Sequence, residues 1–244
     1  MVGHKANDIW TILTSPRYVR DLRAFKQAAA AQGLSLELGR PRPMMDDATA
    51  KTGFDEHYIY HTAWAARILR DTKPAKHIDI GSALFFVSIA SAHVPIEHYD
   101  YRPPDIKIDN VTAGAADLLA LPFADSSIAS LSCMHVVEHV GLGRYGDAID
   151  PSGDHRAMAE LGRVTAPGGQ LLFVTPVGRP RIEFNAHRIY AYQAIIDQFP
   201  AFELAEFALI PDGRNGGGLI RHADPKLVAE QKYGCGCFHF RKRV

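Results

Sequence analysis

The sequence predicts an open α/β fold: a mostly parallel sheet, helices on its faces and a helical N-terminal appendage. Three observations carry that prediction. Short apolar runs bounded by Gly, Pro, Asp and Ser clusters alternate with helix-length segments, as in strand–helix–strand units. Acids or histidines stand just past several of these runs, where ligands bind in open α/β sheets. The stretch Leu121–Gly146, LPFADSSIASLSCMHVVEHVGLGRYG, combines both features: a turn around Pro122, a buried-strand run Ile128–Met134, then His135, Glu138 and His139 at once.

Composition sets the class. The chain has 244 residues, is 47% hydrophobic, and balances 27 Lys plus Arg against 27 Asp plus Glu. That is enough apolar material for a sizeable core, and no basic field points to nucleic acid. No apolar run is long enough to span a membrane, and Met1–Trp10 does not read as a signal peptide. Three cysteines make no disulfide framework, so a cytoplasmic setting is expected.

The elements follow in order. Ser15-Pro16 is a helix start and Gly33 the matching stop, with Tyr18, Leu22, Phe25 and Ala29 on one face. Leu34–Phe54, with Arg40-Pro41-Arg42-Pro43, reads as a linker. A second helix is expected from Asp55 to about Arg70, with Tyr58, Thr62, Ala65 and Leu69 sharing a face; His57, Tyr58, Tyr60 and His61 are candidates for a cleft lining or for plain helix surface. The expected division is residues 1–73 as appendage and 74–244 as sheet domain.

Lys76–Ser82 predicts the first strand and its turn, and Ala83–Ala92 a helix apolar all round, hence buried. Val94–Asp100 predicts the second strand. Asp100 stands roughly twenty residues after Gly81, the spacing of an acid that takes ribose hydroxyls, and a carboxylate suits a vicinal diol. Val111–Ala116 is the third strand, closed by Asp117-Leu118. Gly141–Asp154 is glycine-rich, polar and long, and reads as a functional loop, with Asp154 capping the helix that carries Ala157, Leu161 and Val164. Ala166–Gly169 fits a type II turn before a fifth strand, Gln170–Thr175. Asn185 is a candidate cap for a helix bearing Tyr192, Ile195, Ile196 and Phe199. Phe202–Ile210 is extended, Asp212–Gly218 is a turn, and Cys235–Phe240 is the last strand. Cys235, Cys237 and His239 alternate there on one face, a soft-metal trio without an evident fourth ligand; no metal is expected.

The turn L-P-F-x-D-x-S, its strand and the E-H that follows resemble the fourth-strand region of S-adenosylmethionine-dependent methyltransferases of the Rossmann-like class. So does E-L-x-R-V-x-x-P-G-G-x-L-x-F-x-x-P over Glu160–Pro176. EHVGLGRYGDAIDPSGD and RIEFNAHRIY further resemble a methyltransferase-related family of unknown function, associated with surface-polysaccharide or sugar-modification genes. The resemblance covers roughly Lys76–Pro211. It implies a seven-stranded Rossmann-like sheet whose last strand pairs antiparallel, and S-adenosylmethionine as cofactor. The implied cofactor-binding residues are Asp79, Gly81, Ser82, Asp100, Asp117, Leu118 and Cys133, with Asp117 on the adenine amino group. The first loop departs from the acid-x-Gly-x-Gly-x-Gly pattern, keeping only Asp79-x-Gly81.

Methyl transfer to a hydroxyl requires a proton acceptor, and His139 and His187 are the candidates, with Glu183 and Asp154 behind them. Arg144, Tyr145 and Arg181 suit an anionic group of the acceptor, such as a nucleotide-sugar phosphate. The partner is then a small molecule, a sugar or nucleotide-sugar among the candidates. Three functions stay open: a methyltransferase on a small polar acceptor, a methyltransferase-like binding protein without catalysis, and a nucleotide-dependent oxidoreductase, which the glycine-poor loop disfavours.

Overall fold

The computed structural model describes residues 15–213 and 217–244. Met1–Trp10, which does not read as a signal peptide, and Arg214, Asn215 and Gly216 of the expected turn lie outside those residues. Two compact units divide between Phe54 and Asp55. In the first, α1 (Pro16–Ala31) starts as expected: Ser15 Oγ accepts from the Tyr18 amide at 3.4 Å and Pro16 opens the helix. Gly33, at φ +69°, turns the chain out of it. Residues 34–54 carry no regular element.

The second unit begins earlier than the expected 73/74 boundary, because the next helix belongs to its core. Helix α2 (Glu56–Thr72) is capped by Asp55, which accepts from the Tyr58 amide at 3.2 Å. It buries Trp64, Ala65, Ile68 and Leu69 against the sheet residues Leu172, Val174, Ala208 and Cys237. Removing α2 would strip that face, so it cannot be grouped with a separate appendage.

The sheet has seven strands in the order β3-β2-β1-β4-β5-β9-β8. They are β1 (His77–Ile80), β2 (Ile96–Asp100), β3 (Val111–Ala115), β4 (Ile128–Met134), β5 (Thr165–Val177), β8 (Phe202–Ile210) and β9 (Gly234–Lys242). Strands β1 to β5 pair in parallel, and β9 runs antiparallel between β5 and β8, as the methyltransferase resemblance implies. Helix α3 (Leu84–Ala90) shares the α2 face; α4 (Gly153–Val164) and α5 (Tyr192–Gln198) lie over the other, against Ile78, Leu131, Phe173 and Phe238. Among the described residues no helix is long and apolar enough to cross a membrane.

Several local expectations change. Helix α3 is not buried all round: Leu84, Phe85 and Ile89 are exposed. Asp154 does not cap α4; it is buried and accepts from Tyr190 Oη at 2.9 Å, with Arg188 Nε at 3.4 Å. Asn185 caps no helix either. It stands at φ +61° in the turn of a short hairpin, β6 (Arg181–Glu183) with β7 (His187–Ile189).

Alternation along β1 and β4 places polar side chains inside the α2/α3 face. His98 Nδ1 donates to Asp79 Oδ2 at 2.8 Å, and Ser132 donates to Asp79 Oδ1. His77 spans Ser132 (2.9 Å) and Ser130 (2.8 Å); Gln170 donates to Ser130 at 2.9 Å and takes His239 Nε2 at 3.1 Å. A continuous polar chain thus crosses β2, β1, β4, β5 and β9 beneath the helices. It satisfies each group that burial would otherwise penalise.

Candidate active site

The carboxyl ends of the parallel strands open on two cavities. The first, of about 320 Å³, is bordered by Gly81 after β1, Asp100 at the end of β2, and Asp117 and Leu118 after β3. Gly81 stands at φ +68°, and a Cβ there would lie 3.1 Å from both γ-carbons of Val136, so a larger residue is disfavoured twice over. Asp100 Oδ1 accepts from the Arg102 amide (2.7 Å) and Asp117 Oδ1 from the Leu119 amide (2.8 Å), which orients each carboxylate and leaves its second oxygen for a ligand.

The loop after β4 closes this cavity. Asp147 gathers the amides of Gly141 (2.8 Å), Tyr145 (3.1 Å) and Gly143 (3.3 Å), and those hydrogen bonds outweigh burial in holding its carboxyl below the usual range. Gly141 is at φ +77°, with a would-be Cβ only 2.1 Å from the Asp150 carbonyl oxygen. Gly141→Ala is therefore expected to unfasten this loop while leaving the sheet intact. Hydrogen exchange should show lost protection from Gly141 to Asp150 with β4 and β5 unchanged; an unaltered loop would contradict the clash.

The second cavity, of about 310 Å³, is polar and aromatic: Tyr58 of α2, Glu138, His139, Arg144, His187 and Tyr233 all border it, with His57 and His135. His135 and His139 border both cavities, so the two spaces meet at these imidazoles. No α-helix starts at His135. His135 takes φ +57°, followed by a single 3₁₀ turn at Val137–His139. A non-glycine residue in that conformation is sterically costly and is held by its surroundings. Here Glu138 Oε1 holds His135 Nδ1 at 2.8 Å.

His139 Nδ1 lies 2.6 Å from the Ala186 carbonyl oxygen, which selects the Nδ1–H tautomer and leaves Nε2 as a proton acceptor. Arg144 Nη1 donates to the same carbonyl at 3.0 Å. Burial, with the Arg144 charge adding to it, lowers the His139 pKa against the opposing pull of Glu138 and of the Ala186 hydrogen bond. Glu138 is buried and its carboxyl is raised by that burial, while Oε2 has no hydrogen-bond partner. His187 Nε2 stands 3.2 Å from Glu183 Oε2, its ring 4.8 Å from that of Tyr233.

The predicted residues therefore sort into three groups. Gly81, Asp100, Asp117, Leu118 and Tyr145 border the first cavity; His139, Arg144 and His187 border the second. Asp79, Ser82, Cys133 and Arg181 border neither. Asp79 shares the His77 face of β1 and is consumed by His98, Ser132 and the Ser82 amide (3.2 Å). Ser82 is buried with it, and Cys133 sits in the apolar cluster under α4. Arg181 projects from β6 at the surface, bonded to Glu183 and the Lys232 carbonyl. The trio Cys235, Cys237 and His239 does not assemble, because His239 turns to Gln170. Tyr233 and Asp147 carried no sequence signal: the first comes from the far end of the chain, and the second reads as a loop acid.

A family model described as a Caenorhabditis protein of unknown function, DUF268, matches residues 113–208. No curated protein matches the chain. Among solved structures, the N-methyltransferase NodS from Bradyrhizobium japonicum, in complex with S-adenosyl-L-homocysteine, is similar at TM-score 0.54 and 16% identity, over 82% of this chain and 94% of NodS. A SAM-dependent methyltransferase from Thermotoga maritima is similar at 0.51 and 12%, over 92% and 97%. The cyclase SpnF is similar at 0.53 and 14%, over 75% and 80%. The chain has the Rossmann-like fold of this class, one that carries more than one chemistry.

Proposed function

We propose that the chain transfers a methyl group from S-adenosylmethionine to a small polar acceptor, with a sugar hydroxyl as the acceptor class. The observation that carries the reading is the pair of cavities meeting at His135 and His139, one with acids at the ends of β2 and β3, the other polar and aromatic. The residues present suit this cofactor better than a dinucleotide. The Gly81 amide is used by the Tyr99 carbonyl (2.8 Å) and the Ser82 amide by Asp79, so this turn has no free amides at those positions to cradle a pyrophosphate. A sulfonium cofactor has no phosphate to be cradled. Asp100 would take the ribose hydroxyls, Asp117 the adenine edge, and Leu118 one face of the base. The likeness of fold to NodS, solved in complex with S-adenosyl-L-homocysteine, supports the same reading.

When bound, S-adenosylmethionine supplies an electrophilic methyl group on a sulfonium. The chain's own residues do the rest. His139 Nε2 accepts the proton of the acceptor, with the Ala186 carbonyl holding the ring. Arg144, also on that carbonyl, and Tyr58 orient the acceptor in the cavity, and alignment supplies much of the rate.

The test is calorimetric titration with S-adenosylhomocysteine. Wild type should bind, and Asp100→Ala and Asp117→Ala should each weaken binding by about tenfold to a hundredfold, the loss of a charged hydrogen bond. The second reading, a binding protein without catalysis, is favoured by one observation: Asp79, the first acid of the pattern, is withdrawn into the sheet. Absence of binding by wild type would select it.

A further inference from the structure

Around the second cavity stands a set of donors that methyl transfer leaves unused. His57 comes from the first turn of α2, His135 from the end of β4 and Cys235 from the start of β9. One donor atom of each lies within 4.8 Å of the others. His135 Nε2 is 3.4 Å from Cys235 Sγ, and the His57 and His135 rings stack with centroids 5.7 Å apart. We propose that His57, His135 and Cys235 bind a zinc-type divalent cation, with its open position turned toward the second cavity.

Four features make this a built site rather than a chance grouping. The donors are borderline-soft imidazoles and a thiol, the set that zinc takes in preference to magnesium or calcium. His135 has an outer partner, Glu138 Oε1 on Nδ1 at 2.8 Å, and the His57 ring is stacked on that of Tyr233 with centroids 5.1 Å apart. Carboxylate partners of this kind orient metal-bound histidines. The backbone at His135 sits at φ +57°, a costly conformation that its surroundings must hold. His61, fully buried one turn along α2, has an Nε2 with no partner and its ring 5.0 Å from that of His135.

A tetrahedral zinc with bonds of about 2.0 to 2.3 Å needs its ligand atoms closer than 4.8 Å. That contraction would come from rotation of His57, the least buried of the three. Three protein ligands and one open position are the arrangement of catalytic rather than structural zinc. His57 and His135 border the second cavity, so an oxygen or sulfur of a bound acceptor would complete the shell. That last assignment rests on the methyl-transfer reading; the metal site itself does not.

The full chain, stripped with chelator, is titrated with Zn²⁺ by calorimetry and with Co²⁺ by absorption, both without cofactor. Wild type should bind one equivalent and show a thiolate-to-cobalt charge-transfer band. Cys235→Ser should lose the band and at least tenfold in Zn²⁺ affinity; Cys237→Ser should keep both. Glu138→Gln should weaken Zn²⁺ about 10- to 100-fold. His57→Ala, at a partly exposed position, serves where Cys235→Ser fails to fold. No binding by wild type, or binding and a band that survive Cys235→Ser and His57→Ala, overturns the site. S-adenosylhomocysteine titrated into the same preparations reads the cofactor cavity separately, so either proposal can fail alone.

Discussion

Replacing His139 by asparagine is expected to lower kcat by about 10²-fold or more at saturating cofactor and acceptor, the usual worth of a positioned general base. The expectation follows from its tautomer and its place. The Ala186 carbonyl at 2.6 Å holds Nδ1–H, so Nε2 carries the lone pair, and the ring borders both cavities. Asparagine keeps a donor for that carbonyl and removes the base. The pH profile adds a signature that a structural role would not give. Burial lowers the His139 pKa, so wild-type kcat should fall on the acid side below 6.5, and the variant should lack that limb. His187→Asn is the control. It borders only the second cavity and stands beside Glu183, so its effect should be smaller. If the loss and the missing limb appear in the His187 variant instead, the roles exchange. If neither variant moves, the acceptor reacts without a histidine base.

The sheet was legible because each parallel strand is a short apolar run closed by a turn signal, and because parallel order follows from helices between strands. Strand β4 reads directly from Ile128–Met134, and Asp100 and Asp117 announce the rim because both acids follow apolar runs. What could not be read was the facing of single residues. Asp79 and Asp100 look alike in sequence, but alternation sends Asp79 into the sheet face with His77, while Asp100 reaches the cavity. A one-residue phase difference in a strand of four residues leaves no pattern to detect. His135, Glu138 and His139 stand out in the sequence, yet nothing there shows that His135 adopts a left-handed backbone with its ring held on Glu138. The β6–β7 hairpin has strands of three residues, too short for periodicity. The meeting of His57 with Cys235 joins α2 to β9, and only the antiparallel insertion of β9 beside β5 brings them together.

The polar chain under α2 and α3 makes stability depend on pH in both directions. Its hydrogens run one way: Gln170 donates to Ser130, Ser130 to His77 Nδ1, His77 Nε2–H to Ser132, and Ser132 to Asp79. His77 is neutral in this arrangement, and burial lowers its pKa to about 4. Protonating Nδ1 would oppose Ser130 with two donors. Its unfolded value is 6.5, so between 6.5 and 4 the unfolded chain binds a proton that the folded chain refuses. Stability is then complete above 6.5 and is lost as pH falls, by an order of about 3 kcal/mol for this group alone. His98 acts oppositely. Burial would lower its pKa, but the hydrogen bond and charge of Asp79 raise it above the ordinary value. Its contribution is fully present below 6.5 and is lost as pH rises through the raised value. Urea unfolding across pH 4 to 9 should therefore give a stability maximum with two falling sides. His77→Gln should flatten the acid side by about one proton, and His98→Gln the alkaline side. Asp79→Ala removes the hub and leaves His98 and Ser132 buried without it, at a cost of about 3 to 5 kcal/mol. A wild-type curve flat from pH 4 to 7, or an Asp79→Ala variant as stable as wild type, would show that this chain of hydrogen bonds does not govern the fold.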